Sequence, residues 1–190
     1  MKIAILAWGS LLWNDKQLKL ESNWQKSSIK LPLNFSRISD KGKGRLTLVV
    51  DQYGTNNNIY FGITKIQDLN VAINALKTRE KTVKKFIGYI NLKNNTYRTT
   101  NLNNHQLQTI QNWAINNKLD AVIWTDIPPN FQEIMGEPFS VKSAMGYINS
   151  QKKDRKMYNK ILEYIFLSKI YGKIKTPLSD EVIKSKICNL

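Results

Sequence analysis

The sequence predicts an α+β fold, and three observations carry that prediction. Runs rich in β-branched and aromatic residues crowd the first half of the 190-residue chain. Apolar residues at helical spacing dominate the last third. Strands and helices are thus segregated rather than alternating as in βαβ units. No repeat, Pro/Gly linker or low-complexity tail divides the sequence, so residues 1–190 are expected to form one domain, with 140–190 a helical C-terminal extension. A chain of this length can bury a sizeable core.

The first element is the run Ile3-Ala4-Ile5-Leu6-Ala7, five apolar residues without a polar break, as suits a strand buried on both faces. It leads directly into Trp8-Gly9-Ser10-Leu11-Leu12-Trp13, where Gly9 lets the backbone turn or approach a ligand closely. Consecutive amides in such a turn can hold an anion or polarise a carbonyl; the plain alternative is a turn with no ligand. No G-x-G-x-x-G pattern and no Gly-Lys-Ser/Thr follows, which gives no support to a nucleotide-binding loop. Further strands are predicted at Leu46 to Asp51, Ile59 to Ile66, Phe86 to Asn91 and Ala121 to Thr125, with Tyr53 to Asn58 as a hairpin turn.

Between these strands lies the segment Asp68 to Glu80. Leu69, Ala72, Ile73 and Leu76 follow i, i+3, i+4, i+7, the spacing of a buried helical face. At 3.6 residues per turn Glu80 returns to within about 20° of Leu69, so a helix that persists aims its carboxylate where the leucines point. A helix that ends near Lys77 instead leaves Glu80 an exposed acid among Lys77, Arg79 and Lys81. The inward placement matters chemically, because desolvation raises a carboxyl pKa and makes the group a usable proton carrier near neutrality.

Leu102 to Asn117 predicts a helix with Leu107, Ile110 and Ala114 inward. Ser140 is a candidate N-cap for another, whose Val141, Ala144, Met145 and Ile148 share a face. A longer helix from about Lys153 to Lys169 carries Met157, Tyr158, Ile161, Leu162 and Ile165, and Pro177 is expected to mark the exit into a basic tail. Trp113 and Trp124 fit packing positions, and His105 lies in a polar segment as a surface residue near a helix start.

The net charge of +15 invites a nucleic-acid reading, since lysines that neutralise phosphates bind polyanions. Composition argues against a specific one. Of the 29 basic residues 24 are Lys and five are Arg, alongside 21 Asn and 22 Ile, a pattern that AT-rich coding produces without any partner. Arg, the residue best suited to base edges, is scarce. One Cys, Cys188, and one His exclude an internal disulfide and a His/Cys metal cluster, so no metal or cofactor is expected. The start lacks the pattern of a signal peptide and no run reaches ~18 apolar residues, so the expected location is cytoplasmic and away from membranes.

The opening loop and the Glu80 segment together resemble the γ-glutamylcyclotransferase superfamily. Its members carry a Tyr-Gly-Ser-Asn/Leu-Leu/Ile loop after the first strand and a catalytic Glu further along, often within an Arg-Glu pair. Trp8-Gly9-Ser10-Leu11-Leu12-Trp13 is similar to the Tyr-Gly-Ser-Leu-Ile-Trp version of the ChaC-like branch, and Leu76-Lys77-Thr78-Arg79-Glu80 to the Glu segment. Ile59 to Ile63 and Phe86 to Ile90 look like the strands that flank the family's helix, and Asp120 to Thr125 followed by Pro128-Pro129 resembles uncharacterised bacterial relatives. The resemblance implies a small mixed β-barrel with flanking helices and a pocket at its mouth. It also implies release of 5-oxoproline from a γ-glutamyl compound by attack of the substrate's own amine. Trp8, Gly9, Ser10, Leu11 and Leu12 would bind the γ-glutamyl group, and Glu80 would be the general acid/base. Trp8 stands where the family has Tyr, which removes a phenolic hydroxyl, and Leu11 stands where mammalian-type enzymes have Asn, which points toward the ChaC-like branch.

Arg37 lies in the basic stretch Phe35 to Arg45, where it either pairs with a substrate carboxylate at the pocket rim or belongs to a solvated hairpin; for Arg45 the solvated reading is favoured. The expected partner is thus a small γ-glutamyl substrate. The alternative from another class is a noncatalytic small-molecule or partner-binding module on the same fold.

Overall fold

The computed structural model describes residues 1–39 and 44–187, the last two by their backbone alone; Asp40 to Lys43 of the basic stretch, and Cys188, lie outside the described residues. The fold is α+β, a seven-stranded mixed sheet with six α-helices among the described residues. Strand β1 (Ile3–Ala7) lies inside the sheet, parallel to β7 (Ala121–Thr125) and antiparallel to β4 (Thr55–Thr64). Its unbroken apolar run has a direct cause, since both of its faces are covered. Ile3, Ile5 and Ala7 meet Ala72, Ile73 and Leu76 of α1 (Leu69–Glu80), while Ala4 and Leu6 join the larger cluster on the opposite face.

The remaining strands are β2 (Gln25–Ser39), β3 (Arg45–Val50), β5 (Ile87–Asn91) and β6 (Thr96–Arg98), and the sheet order is β3-β2-β4-β1-β7-β5-β6. Strands β2 and β6 were not among the predicted elements. In β2 the residues Ile29, Leu31, Leu33 and Phe35 are buried at alternate positions, the period of a strand with one face inward. Strand β4 begins at Thr55, earlier than predicted, because Asn56, Asn57 and Asn58 pair with Pro32, Leu31 and Lys30. The turn shrinks accordingly, with the Gly54 amide bonded to the Asp51 carbonyl at 2.8 Å.

The sheet is not closed into a barrel, since β3 and β6 are free edges. Asn101, just after β6, reaches across to β3, its Nδ2 donating to the Val50 carbonyl at 2.7 Å, and Asn130, in the segment after β7, both accepts from the Ile38 amide of β2 at 2.8 Å and donates to its carbonyl at 3.1 Å. A three-residue β6 is too short to pair along the six residues of β3. The chain leaves the strand first.

The helices α2 (Asn104–Asn116), α3 (Phe131–Met135), α4 (Val141–Ser150) and α5 (Arg155–Gly172) follow. A capping box starts α2 at Asn103 and Gln106, and Ser140 caps α4 as its position before an apolar face predicts. Pro177 does not open a tail. It is the first residue of a sixth helix, α6 (Pro177–Ile187), a position where its missing N–H costs nothing, with Thr176 and Ser179 bonded to each other's amides. Leu178 and Val182 of α6 and Ile161 and Ile165 of α5 enter the same core cluster as β2 and β3. No helix of the described residues is long and apolar enough to cross a membrane.

Trp124, fully buried in β7, lies across Gly88, its partner in β5; a Cβ on Gly88 would come within 2.3 Å of the indole. Backbone on one side and a packed ring on the other leave no room to yield. Gly88→Ala is expected to lower stability by about 1–3 kcal/mol, read from the urea midpoint, whereas an unchanged midpoint would mean that the indole can move aside.

Candidate active site

The loop after β1 is a single 3₁₀ turn, Gly9–Leu12, entered with Gly9 at φ +61°. A side chain there would be strained, and it would also collide, because a Cβ on Gly9 would stand 2.5 Å from the Tyr164 hydroxyl oxygen. Gly9 is thus required twice over. The first amides of such a turn have no acceptor within it.

Helix α1 persists through Glu80 and stops at Lys81, which takes the left-handed conformation at φ 51°. The Asp68 carboxylate caps its start by accepting from the Val71 amide at 2.9 Å. Glu80 therefore keeps the phase of Ala72, Ile73 and Leu76, and its side chain is only 16 % exposed. Arg79, one residue earlier, reaches the turn. Its Nη1 meets Glu80 Oε1 at 2.9 Å, its Nη2 donates to the Ser10 carbonyl at 2.9 Å, and its Nε donates to the Asn14 carbonyl at 2.8 Å. One guanidinium thus joins the acid, the glycine turn and the chain beyond it.

Burial pushes the Glu80 carboxyl above its ordinary value of 4.5, against the opposing pull of Arg79 and then Arg45. Desolvation is the larger effect, and the two guanidiniums offset only part of it. Folded Glu80 therefore holds its proton to higher pH than an exposed glutamate does.

A cavity of about 650 Å³ opens over this group. The turn contributes Trp8, Ser10 and Leu11 to its wall, and the end of α1 contributes Arg79 and Glu80. Arg37, Arg45 and Thr125 come from β2, β3 and β7, and α5 closes one side with Lys160, Glu163 and Tyr164. Six basic side chains, Lys16, Arg37, Arg45, Arg79, Lys81 and Lys160, face two acids, Glu80 and Glu163, among the described residues. The field in the cavity favours an anionic ligand.

The structure thus gathers most of the predicted residues. Trp8, Ser10, Leu11, Arg37 and Glu80 line the cavity, and Gly9 lies behind them against Tyr164. The Leu12 side chain is not brought to the cavity wall; it packs in the core cluster of β1 and α1 and passes Gly172 of α5. Arg37 is tied into the fold, with Nη1 donating to the Pro128 carbonyl at 2.8 Å. His105 is exposed on α2, and Trp113 and Trp124 are buried in the core.

Tyr164 was missed. Its phenol sits against Gly9 and accepts from the Leu48 amide at 3.4 Å; Trp13 and Phe35 meet its ring edge-on, and the Arg45 guanidinium lies 4.2 Å above it. Burial raises its pKa, Arg45 and the Leu48 amide oppose that rise, and Glu80 adds to it. The one available signal was its place three residues after Ile161 on the inward side of α5, where a buried tyrosine needs a polar neighbour.

Comparison with protein-family models, with curated proteins and with solved structures gives no match, so function is argued from this geometry.

Gly9→Ala is expected to cost about 1–3 kcal/mol in a denaturant titration, the sum of a strained φ and contact with the phenol. A second expectation concerns pH. A carboxyl raised by folding contributes fully below its unfolded value of 4.5 and loses that contribution as pH climbs through the raised value. Melting temperatures followed from pH 4 to 8 should therefore show wild type losing ground to Glu80→Gln as pH rises; wild type gaining ground would mean that Glu80 is not desolvated.

Proposed function

We propose that the protein is a γ-glutamylcyclotransferase-like enzyme that releases 5-oxoproline from a γ-glutamyl compound, with Glu80 as general acid/base. The observation that carries this reading is the joining of a buried, pKa-raised Glu80 to the Gly9–Leu12 turn through Arg79 at the floor of one cavity. The resemblance in the loop and the Arg-Glu pair supports it. The curled sheet is then the open counterpart of the mixed barrel that the resemblance implies.

The chemistry needs no protein nucleophile, because the substrate supplies its own. Glu80 takes a proton from the α-ammonium, and the freed amine attacks the γ-carbonyl carbon, forming the ring C–N bond. The amides at the start of the turn, which have no acceptor within it, would serve as donors to the developing oxyanion. Glu80 passes its proton to the departing nitrogen as the γ-amide bond breaks, and the ring nitrogen's second proton completes the leaving ammonium. The products are 5-oxoproline and a free amine or amino acid. Tyr164 gives the loop a phenol from α5 where Trp8 lacks one. The six cations in the wall suit a substrate that carries carboxylates.

A panel of γ-glutamyl compounds, glutathione included, assayed for 5-oxoproline tests the reading. Glu80→Gln is expected to lose about 10²- to 10⁴-fold in kcat while keeping its fold by circular dichroism. Folded wild-type protein that binds such compounds but releases no 5-oxoproline from any of them would instead be the binding module.

A further inference from the structure

Arginines near the cavity differ in what their donors already do. Arg79 spends its guanidinium on Glu80, Ser10 and Asn14, and Arg37 donates to Pro128. Arg45, the first residue of β3, donates to no oxygen among the described residues. Its Nε is buried and without a partner, and its guanidinium carbon lies over the Tyr164 ring, 4.2 Å from the centroid. A second buried polar atom in the same wall is also without a partner, the Oγ1 of Thr125 at the end of β7. Buried donors are nearly always satisfied in folded proteins, so two orphaned ones lining one cavity call for a ligand group.

We propose that Arg45, assisted by Thr125, forms an anion subsite that binds a carboxylate of the ligand in this cavity. The planar guanidinium presents parallel N–H donors, the arrangement that pairs with both oxygens of a carboxylate. Contact with the Tyr164 ring restrains the guanidinium, so less side-chain freedom is lost on binding. Thr125 lines the same cavity, and its hydroxyl is left for a bond that the fold does not supply. Lysine lacks the fork. That the carboxylate belongs to a γ-glutamyl compound rests on the cyclotransferase reading. Within it the group is either the α-carboxylate of the glutamyl moiety or a carboxylate on the leaving side. Both share this chemistry.

The experiment uses γ-glutamylglycine, which carries both carboxylates, and γ-glutamylethylamide, which carries only the α-carboxylate. Dissociation constants are measured by calorimetry in the Glu80→Gln background, where turnover is suppressed, and KM and kcat are measured with Glu80 intact. Arg45→Gln is expected to weaken γ-glutamylglycine about 10- to 100-fold and to raise KM more than it lowers kcat. Equal weakening of the ethylamide assigns the α-carboxylate; an unaffected ethylamide assigns the leaving side. Thr125→Val should give a smaller loss in the same direction. Arg45→Lys keeps the charge and guards against a folding defect, and it should recover only part of the affinity. Unchanged affinity for both compounds in folded Arg45→Gln or Arg45→Lys overturns the subsite, as does a wild-type protein that binds neither. Arg45-dependent binding without any 5-oxoproline release would overturn the cyclotransferase reading and leave the subsite standing.

Discussion

The site depends on one guanidinium. Arg79 lies in the last turn of α1, yet its hydrogen bonds run to the Ser10 and Asn14 carbonyls, in the chain that leaves β1, and to the Glu80 carboxylate beside it. Without it the buried acid would lack its nearest opposite charge, and the turn would lose its tie to the helix. A carboxylate taken from water costs several kcal/mol unless it is paired and hydrogen-bonded. Arg79 supplies enough pairing to let Glu80 stay inside without cancelling the rise in its pKa. A fully committed arginine would have pulled the carboxyl below its ordinary range.

How much of this was legible depends on whether the information is local. The α1 face was readable because its period is written in consecutive residues, and the phase that buries Leu76 also fixes Glu80. The β1 run was readable for the same reason. Strand β2 was harder, because Pro32, which cannot donate to a ladder, stands within it, although Lys30 and Pro32 keep to the outward positions of its alternation. It forms because β3 and β4 cover both its edges. Asn56 to Asn58 similarly read as a turn by composition, and cross-strand pairing overrode that preference. The failure at Pro177 has another cause, since proline ends helices and also starts them.

The far wall of the cavity was not legible, for a physical reason. Tyr164 and Gly9 are far apart in sequence and meet only because α5 packs across the turn and against β3. No spacing rule encodes that contact. Trp8 illustrates the consequence. Sequence alone registers a lost hydroxyl at that position, whereas the fold places a different phenol against the neighbouring glycine. A pocket needs a group at a point in space, and the chain can deliver it from any element that passes there.

Charge shows the same distinction between composition and placement. The +15 net charge is carried mostly by lysines, and it says little about a ligand because a solvated lysine can serve solubility alone. Arginine is the scarcer cation, five residues in all, and three of them, Arg37, Arg45 and Arg79, line the cavity. Their roles are told apart by accounting for donors rather than by position. Arg37 reaches the Pro128 carbonyl and Arg79 the Ser10 turn, so both are bonded to backbone. The sequence favours a solvated Arg45, yet it is the one that lies over an aromatic ring with its Nε buried and unspent. A protein that desolvates a guanidinium without giving it an oxygen forgoes stability there. The forfeited bond is regained when a carboxylate arrives, so the same omission that weakens the empty fold becomes affinity and orientation for the ligand.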